Sequence, residues 1–166
     1  DYTYTLYDTA EFGTTAGVTH TLFQVREGAD STHVAHFTNM RGPGALSSEE
    51  RFVIEKIEVF PDPDFSVDDL QAMWKDSYLE VKGADKSVLK VPLALCAAAV
   101  GFMGHYTQAS AADECLASLK GEGYKLPIPI EIPGATSFAV EVYQGTALSA
   151  ANKSVKVCLT GTLTMP

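Results

Sequence analysis

The sequence predicts an all-β fold, an antiparallel β-sandwich and most simply a single jelly roll, with one short inserted helix. Three observations carry that expectation. Roughly eight or nine short runs of β-branched and aromatic residues follow one another, separated by Gly, Pro and Asp turns. Only one stretch, Val67–Asp76, changes clearly from a two-residue to a helical period. No strand–helix–strand alternation and no internal repeat is visible, which argues against parallel α/β folds, propellers and solenoids.

The densest β run is Arg51–Phe60, RFVIEKIEVF, between the loop GPGALSSEE and the turn PDPD. Phe52 and Ile54 share one parity, Ile57 and Val59 the other. The phase changes at Glu55-Lys56, which predicts either a bulge there or burial on both faces. Both readings make this strand central.

Before it, Tyr2, Tyr4 and Leu6 alternate with Thr3 and Thr5 as in a strand. Residues 11–19 read as a turn, His20–Val25 as a short strand, Thr32–Thr38 as another, and 39–48 as an exposed loop. After it, Ser66 is a good N-cap, with Asp68 and Asp69 in the positive first turn of a helix over Val67–Asp76. Val67, Leu70, Met73 and Trp74 form its apolar face, so Trp74 is expected to be buried. Tyr78–Lys82 and Ser87–Leu93 make a hairpin through Gly83–Lys86. Residues 94–100 are ambiguous between strand and helix, 101–112 read as a long loop, and Asp113–Leu119 as a helical turn. In Leu126–Ile132, Pro127 and Pro129 cannot donate to a ladder, so this is an edge strand or an extended arm. Ser137–Tyr143 alternates cleanly, and 146–153 is a loop. In the last strand, Ser154–Met165, the residues Val155, Val157, Leu159, Leu163 and Met165 share one face, in phase with Gly161.

With 166 residues the chain is long enough for one domain with a real core and short for two. One β-sandwich domain is expected over 1–166, and the tyrosine-rich start leaves room for an N-terminal arm over 1–10. A composition of 46% hydrophobic and 20% charged residues argues against disorder. The formal net charge of −9 disfavours nucleic-acid binding by the folded body and binding to an anionic membrane surface. No run is apolar and long enough to span a membrane. Cys96, Cys115 and Cys158 are odd in number and lack CxxC spacing, which excludes a disulfide framework or a zinc site and leaves three buried free thiols or, as the alternative, one internal disulfide with one free thiol.

The motifs are weak. Asp62, Asp64, Ser66 and Asp68 place oxygens at alternate positions, as in the first half of a calcium loop. Val67 stands where the turn needs Gly, and Met73 where the bidentate Glu belongs, so a helix N-terminus explains the run better. His33 and His36, on a strand, would point to opposite faces and share no metal. His20 and His105 have no partner identifiable from sequence. Asn152-Lys153-Ser154 is a formal glycosylation triplet. No GxSxG, HExxH, P-loop or GxGxxG motif is present. The expectation is therefore a protein that is not an enzyme, with no catalytic, cofactor-binding or metal residues and no cofactor.

Three stretches carry a resemblance. They are Phe37-Thr38-Asn39-Met40 with Gly42–Leu46, the strand Phe52–Val59, and Leu126–Gly134 leading into Ser137-Phe138. Together they resemble jelly-roll structural proteins of bacterial viruses. The resemblance implies a coat or decoration subunit of a virion, found in the extracellular particle, whose partners are copies of itself and other virion proteins. It implies no site residues. The alternative is a β-sandwich module that binds carbohydrate or another surface ligand, with the tyrosines or Trp74 as a platform. In an assembly of such acidic subunits, apolar and backbone contacts at the N-terminus and at Leu126–Ile132 would drive association. Moderate salt, or calcium at the Asp62–Asp69 run, would strengthen it.

Overall fold

The structure, a computed structural model, describes residues 1–62, 65–98, 104–106, 114–116 and 122–165. The alternating Tyr/Thr start is a strand, β1 (Tyr2–Phe12). A turn leads to β2 (Val18–Leu22), and a long irregular segment to β3 (Arg51–Pro61). Helix α1 (Val67–Asp76) follows, then β4 (Tyr78–Gly83), β5 (Lys86–Pro92) and a single 3-10 turn at Leu93–Cys96. A separate pair, β6 (Gly104–Tyr106) and β7 (Glu114–Leu116), precedes β8 (Tyr124–Pro133), β9 (Phe138–Gln144) and β10 (Lys153–Thr164). Strands dominate, and eight of them form two antiparallel four-stranded sheets. The first runs β1-β10-β3-β8, the second β2-β9-β4-β5.

Both sheets contribute to one hydrophobic core. Leu6, Ile57, Val157 and Leu159 come from the first, and Leu79, Val81, Val140 and Val142 from the second. A fully buried side chain of this kind contributes roughly 1.5–3 kcal/mol. β10 lies between β1 and β3, and Val155, Val157, Leu159 and Leu163 are buried along it, as its alternation predicts. The strand stops at Thr164, leaving Met165 exposed.

The phase change in β3 is a bulge. Against β10 the pairing passes from Thr160–Lys56 to Gly161–Ile54 and skips Glu55. Phe52, Ile54, Ile57 and Val59 are consequently all fully buried in the same core, although they have mixed parity. Against β8 the register jumps from Ile54–Ile130 to Lys56–Lys125, one residue of β3 against four of β8, so among the described residues Leu126–Pro129 have no ladder partners. Among the described residues β8 is an edge strand, paired only with β3, as its prolines require.

Helix α1 has the predicted bounds. Ser66 caps it, its hydroxyl accepting from the Asp69 N–H at 3.1 Å. Met73 is buried, while Leu70 and Trp74 pack on the core from its margin, so Trp74 is half-buried rather than enclosed. In the β4–β5 hairpin, Ala84 (φ 47°) and Asp85 (φ 62°) take the two left-handed positions of a primed turn, a conformation usually given to Gly or Asn.

Several expectations fail for local reasons. β2 starts at Val18, inside the expected turn, and ends at Leu22 because Phe23 turns left-handed with φ 65°. Thr32–Thr38 is not a strand. One oxygen of Asp30 accepts from the N–H groups of Thr32 and His33 at 2.8 and 2.9 Å, and Phe37 N–H bonds back to the Val34 carbonyl. Such side-chain to backbone bonds compete with a sheet ladder. The N-terminal stretch 1–10, where an arm was expected to have room, is paired with β10 from Tyr2 onward, and the pairing continues to Phe12. Residues 104–106 and 114–116, read as loop and helical turn, pair with each other as strands. The rest of the 101–112 and 113–119 expectations, and residues 99–100, lie outside the described residues.

Candidate functional site

Side chains on the outward parity of β1 and β10 fasten the irregular segment to the outer face of the first sheet. Three consecutive carbonyls are captured. Tyr7 donates its hydroxyl to the Ala35 carbonyl, Lys156 Nζ donates to that of His36 at 2.6 Å, and Thr9 donates to that of Phe37 at 2.8 Å. Lys156 Nζ also sits 5.3 Å from the Tyr7 ring centroid. Beyond this strap, Asn39 covers the free edge of β1. Its Oδ1 accepts from Tyr7 N–H and its Nδ2 donates to the Thr5 carbonyl, each at 2.8 Å. An amide side chain thus replaces a neighbouring strand.

Between the strap and the sheet lies a groove of about 550 Å³. Phe37 of the strap, Phe60 and Pro61 at the end of β3, and Cys158 of β10 line it, together with the polar Thr9, His36, Asp62, Ser154 and Lys156. The His36 ring packs on Phe37 with centroids 4.2 Å apart. The groove suits apolar recognition rather than covalent chemistry. Burial pushes the Cys158 thiol up to about 11, so it stays protonated and weakly nucleophilic at neutral pH. Cys96 is likewise free and buried, its thiol pushed up to about 12 by burial. The side chain of Cys115 lies outside the described residues.

A second cavity, about 290 Å³, opens beside Asp8, Glu11, Thr32 and His33. Asp8 is buried and accepts from the N–H groups of Phe23 (2.5 Å) and Thr9 (2.9 Å), which holds the left-handed Phe23 turn. Burial raises its carboxyl above the ordinary value, against the lowering effect of these bonds. Hydrogen bonds, first from the Thr32 hydroxyl and then from His33, hold exposed Asp30 well below the usual carboxylate range. The Asp30–Thr32–His33 cluster therefore shapes a turn between near neighbours in sequence.

The outer face of the second sheet carries Tyr78 and Tyr143, stacked with centroids 4.9 Å apart. Lys90 Nζ lies 4.0 Å from the Tyr78 centroid. Tyr143 stands directly opposite Tyr78 on β9, and Lys90 reaches the Tyr78 ring from β5, where it stands opposite Glu80. Lys82 and Glu141 pair beside it at 2.8 Å.

The remaining sequence candidates do not converge. His20 stacks on Phe12 at 4.8 Å, and its Nε2 lies 3.2 Å from Gln144 Oε1. His33 and His36 share the strap, but among the described residues no group of three or more His, Cys, Asp or Glu side chains is placed to hold a metal. Asp69 is buried and accepts from Ser149 N–H at 2.8 Å and its hydroxyl at 2.6 Å, tying α1 to the β9–β10 loop. Asn152 is exposed with φ 60°. Among the described residues no helix is long and apolar enough to cross a membrane. Sequence reasoning missed the groove altogether. Its only traces are Tyr7, Thr9 and Lys156, donors on the outward parity of strands. Comparison with protein families, curated proteins and solved structures finds no match for this chain.

Proposed function

We propose that the chain is a structural subunit of a bacterial virus particle, a jelly-roll coat or decoration protein that assembles with copies of itself and with other virion proteins. The observation that carries this reading is the strand order. Numbered in chain order within the two large sheets, the strands run 1-8-3-6 and 2-7-4-5. Strand 1 therefore lies beside 8, 2 beside 7, 3 beside 6 and 4 beside 5. That is one long antiparallel ribbon rolled into two facing layers of a β-sandwich, which supports the jelly roll, an architecture of viral capsid proteins. The step from architecture to virion is an analogy of fold, joined to the resemblance of the Phe37–Leu46, Phe52–Val59 and Leu126–Phe138 stretches.

A carbohydrate-binding module with the same architecture would need an open aromatic face, and Tyr78 is flanked by Tyr143 and Lys90. No catalytic role is assigned. The test is electron microscopy and light scattering of the purified full chain across a series of salt and calcium concentrations. Regular particles, sheets or tubes that strengthen with salt or calcium are expected, because a charge of −9 on each copy opposes association until it is screened. A monodisperse monomer under every condition overturns the proposal.

A further inference from the structure

The geometry points to a head-to-tail contact in which Pro127-Ile128-Pro129 of one copy docks into the outer groove of the next; this rests on the reading of the chain as an assembling subunit. Ile128 is 81% exposed, far more than any other large apolar side chain among the described residues. It stands on the stretch of β8 that has no ladder partners among the described residues, anchored by the buried Leu126. Two prolines fix its flanks, so little conformational freedom is left to lose on binding.

The groove is its complement on the same chain. Phe37, Phe60, Pro61 and Cys158 give it its apolar lining, Thr9, His36, Asp62, Ser154 and Lys156 its polar one, and the strap beside it is held by three captured carbonyls. Extended proline-bearing segments dock into preformed aromatic-lined grooves for the same reason: both partners are already ordered. A volume of about 550 Å³ admits an isoleucine with its flanking rings. The segment carries no charge, so it brings none of the repulsion expected between acidic copies.

Strand addition between copies is disfavoured at each edge of the two large sheets. Asn39 covers β1, β2 is five residues long, β5 carries Lys86 and Lys90, and the prolines and the unladdered stretch blunt β8. The contact joins two different patches, so by itself it generates rings or open filaments rather than an isolated symmetric pair.

Sedimentation velocity on the full chain tests it, with wild type, Ile128→Asp, Phe60→Asp and an equimolar mixture of the two variants. Phe37→Ser serves as a second groove variant should Phe60→Asp lose its native melting transition. Wild type is expected to form a concentration-dependent series of oligomers. Each variant alone should remain monomeric until about tenfold higher concentration. The mixture should form dimers and nothing larger, because each pair retains one intact segment and one intact groove. If Ile128→Asp assembles like wild type, or the mixture forms long oligomers, the contact is refuted while the assembling subunit stands. A wild type that stays monomeric at every concentration and salt level overturns both.

Discussion

Gly161 is the position where one methyl group tests the account of the β3 bulge. It lies on β10 at the point where the pairing with β3 skips Glu55. A Cβ there would meet the Val53 carbonyl oxygen at 1.8 Å, its carbon at 2.8 Å and Ile54 Cα at 3.1 Å. All three are backbone atoms of the neighbouring strand, so no rotamer change relieves the contact. The two strands must separate by more than an ångström, within the central ladder of the first sheet. Ordinary overpacking of a core costs about 1–3 kcal/mol. An obstacle made of backbone belongs at or above the top of that range. A loss of about 3 kcal/mol is a large part of the roughly 5–15 kcal/mol total expected of a native domain. For a chain of this size it lowers Tm by about 6–12 °C. The assay is urea and thermal unfolding of Gly161→Ala followed by circular dichroism. Gly13→Ala is the control, since a Cβ there meets nothing within 4 Å, and it should stay within about 0.5 kcal/mol of wild type. A Gly161→Ala protein within about 1 kcal/mol of wild type would refute the bulge as described.

Leu159 is fully buried between Leu6 and Ile57 in the register of the first sheet. Leu159→Asp should therefore abolish folding through an unpaired buried charge, and a soluble variant with a native spectrum would contradict this. Ser66→Ala removes the cap of α1 and should cost about 1 kcal/mol in urea unfolding; no change would mean the helix start is held by other contacts. Burial raises the Asp8 carboxyl above 3.8, so the folded chain holds this proton more tightly than the unfolded one. The stabilisation linked to Asp8 is then complete below pH 3.8 and is lost as pH rises through the raised folded value. The stability of wild type relative to Asp8→Asn should fall across that window, and a difference that stays flat with pH would remove burial as the dominant influence on Asp8.

Strong periodicity made much of the fold legible. Helix α1 has the expected bounds because a good cap, acidic first-turn residues and an apolar face agree. β10 is central because its apolar residues all fall on one parity. In β3 the parity break marked the bulge residue itself, since a skipped residue is what lets Phe52 and Val59 face the same core. The failures lie where side chains compete with the backbone ladder. The alternation of Thr32–Thr38 looked strand-like, yet Asp30 outbids a neighbouring strand for its N–H groups because it stands two and three residues away. The groove was invisible for a related reason. Its walls come from positions 37, 60–61 and 158, which are brought together only when Tyr7, Thr9 and Lys156 seize carbonyls of the strap.

The edges of the sheets constrain how copies of this chain can meet. The sequence suggested that the N-terminus and the Leu126–Ile132 segment would supply backbone contacts to a neighbour. In the structure the N-terminus is already used: β1 is registered against β10 from Tyr2 to Phe12, and Asn39 takes N–H and carbonyl groups of its other edge. Deleting the first seven residues would remove Leu6 from the core as well as half of that register, so it would unfold the body rather than merely detach an arm. β8 keeps an exposed edge, but two prolines and an unladdered stretch spoil it as a template. What β8 does offer a neighbour is a side chain, Ile128, on the four-residue stretch that stands opposite the Glu55 bulge of β3. The β3 bulge at Glu55, which brings both parities of that strand to the core, thus stands opposite the irregular stretch of β8 that bears its most exposed apolar side chain.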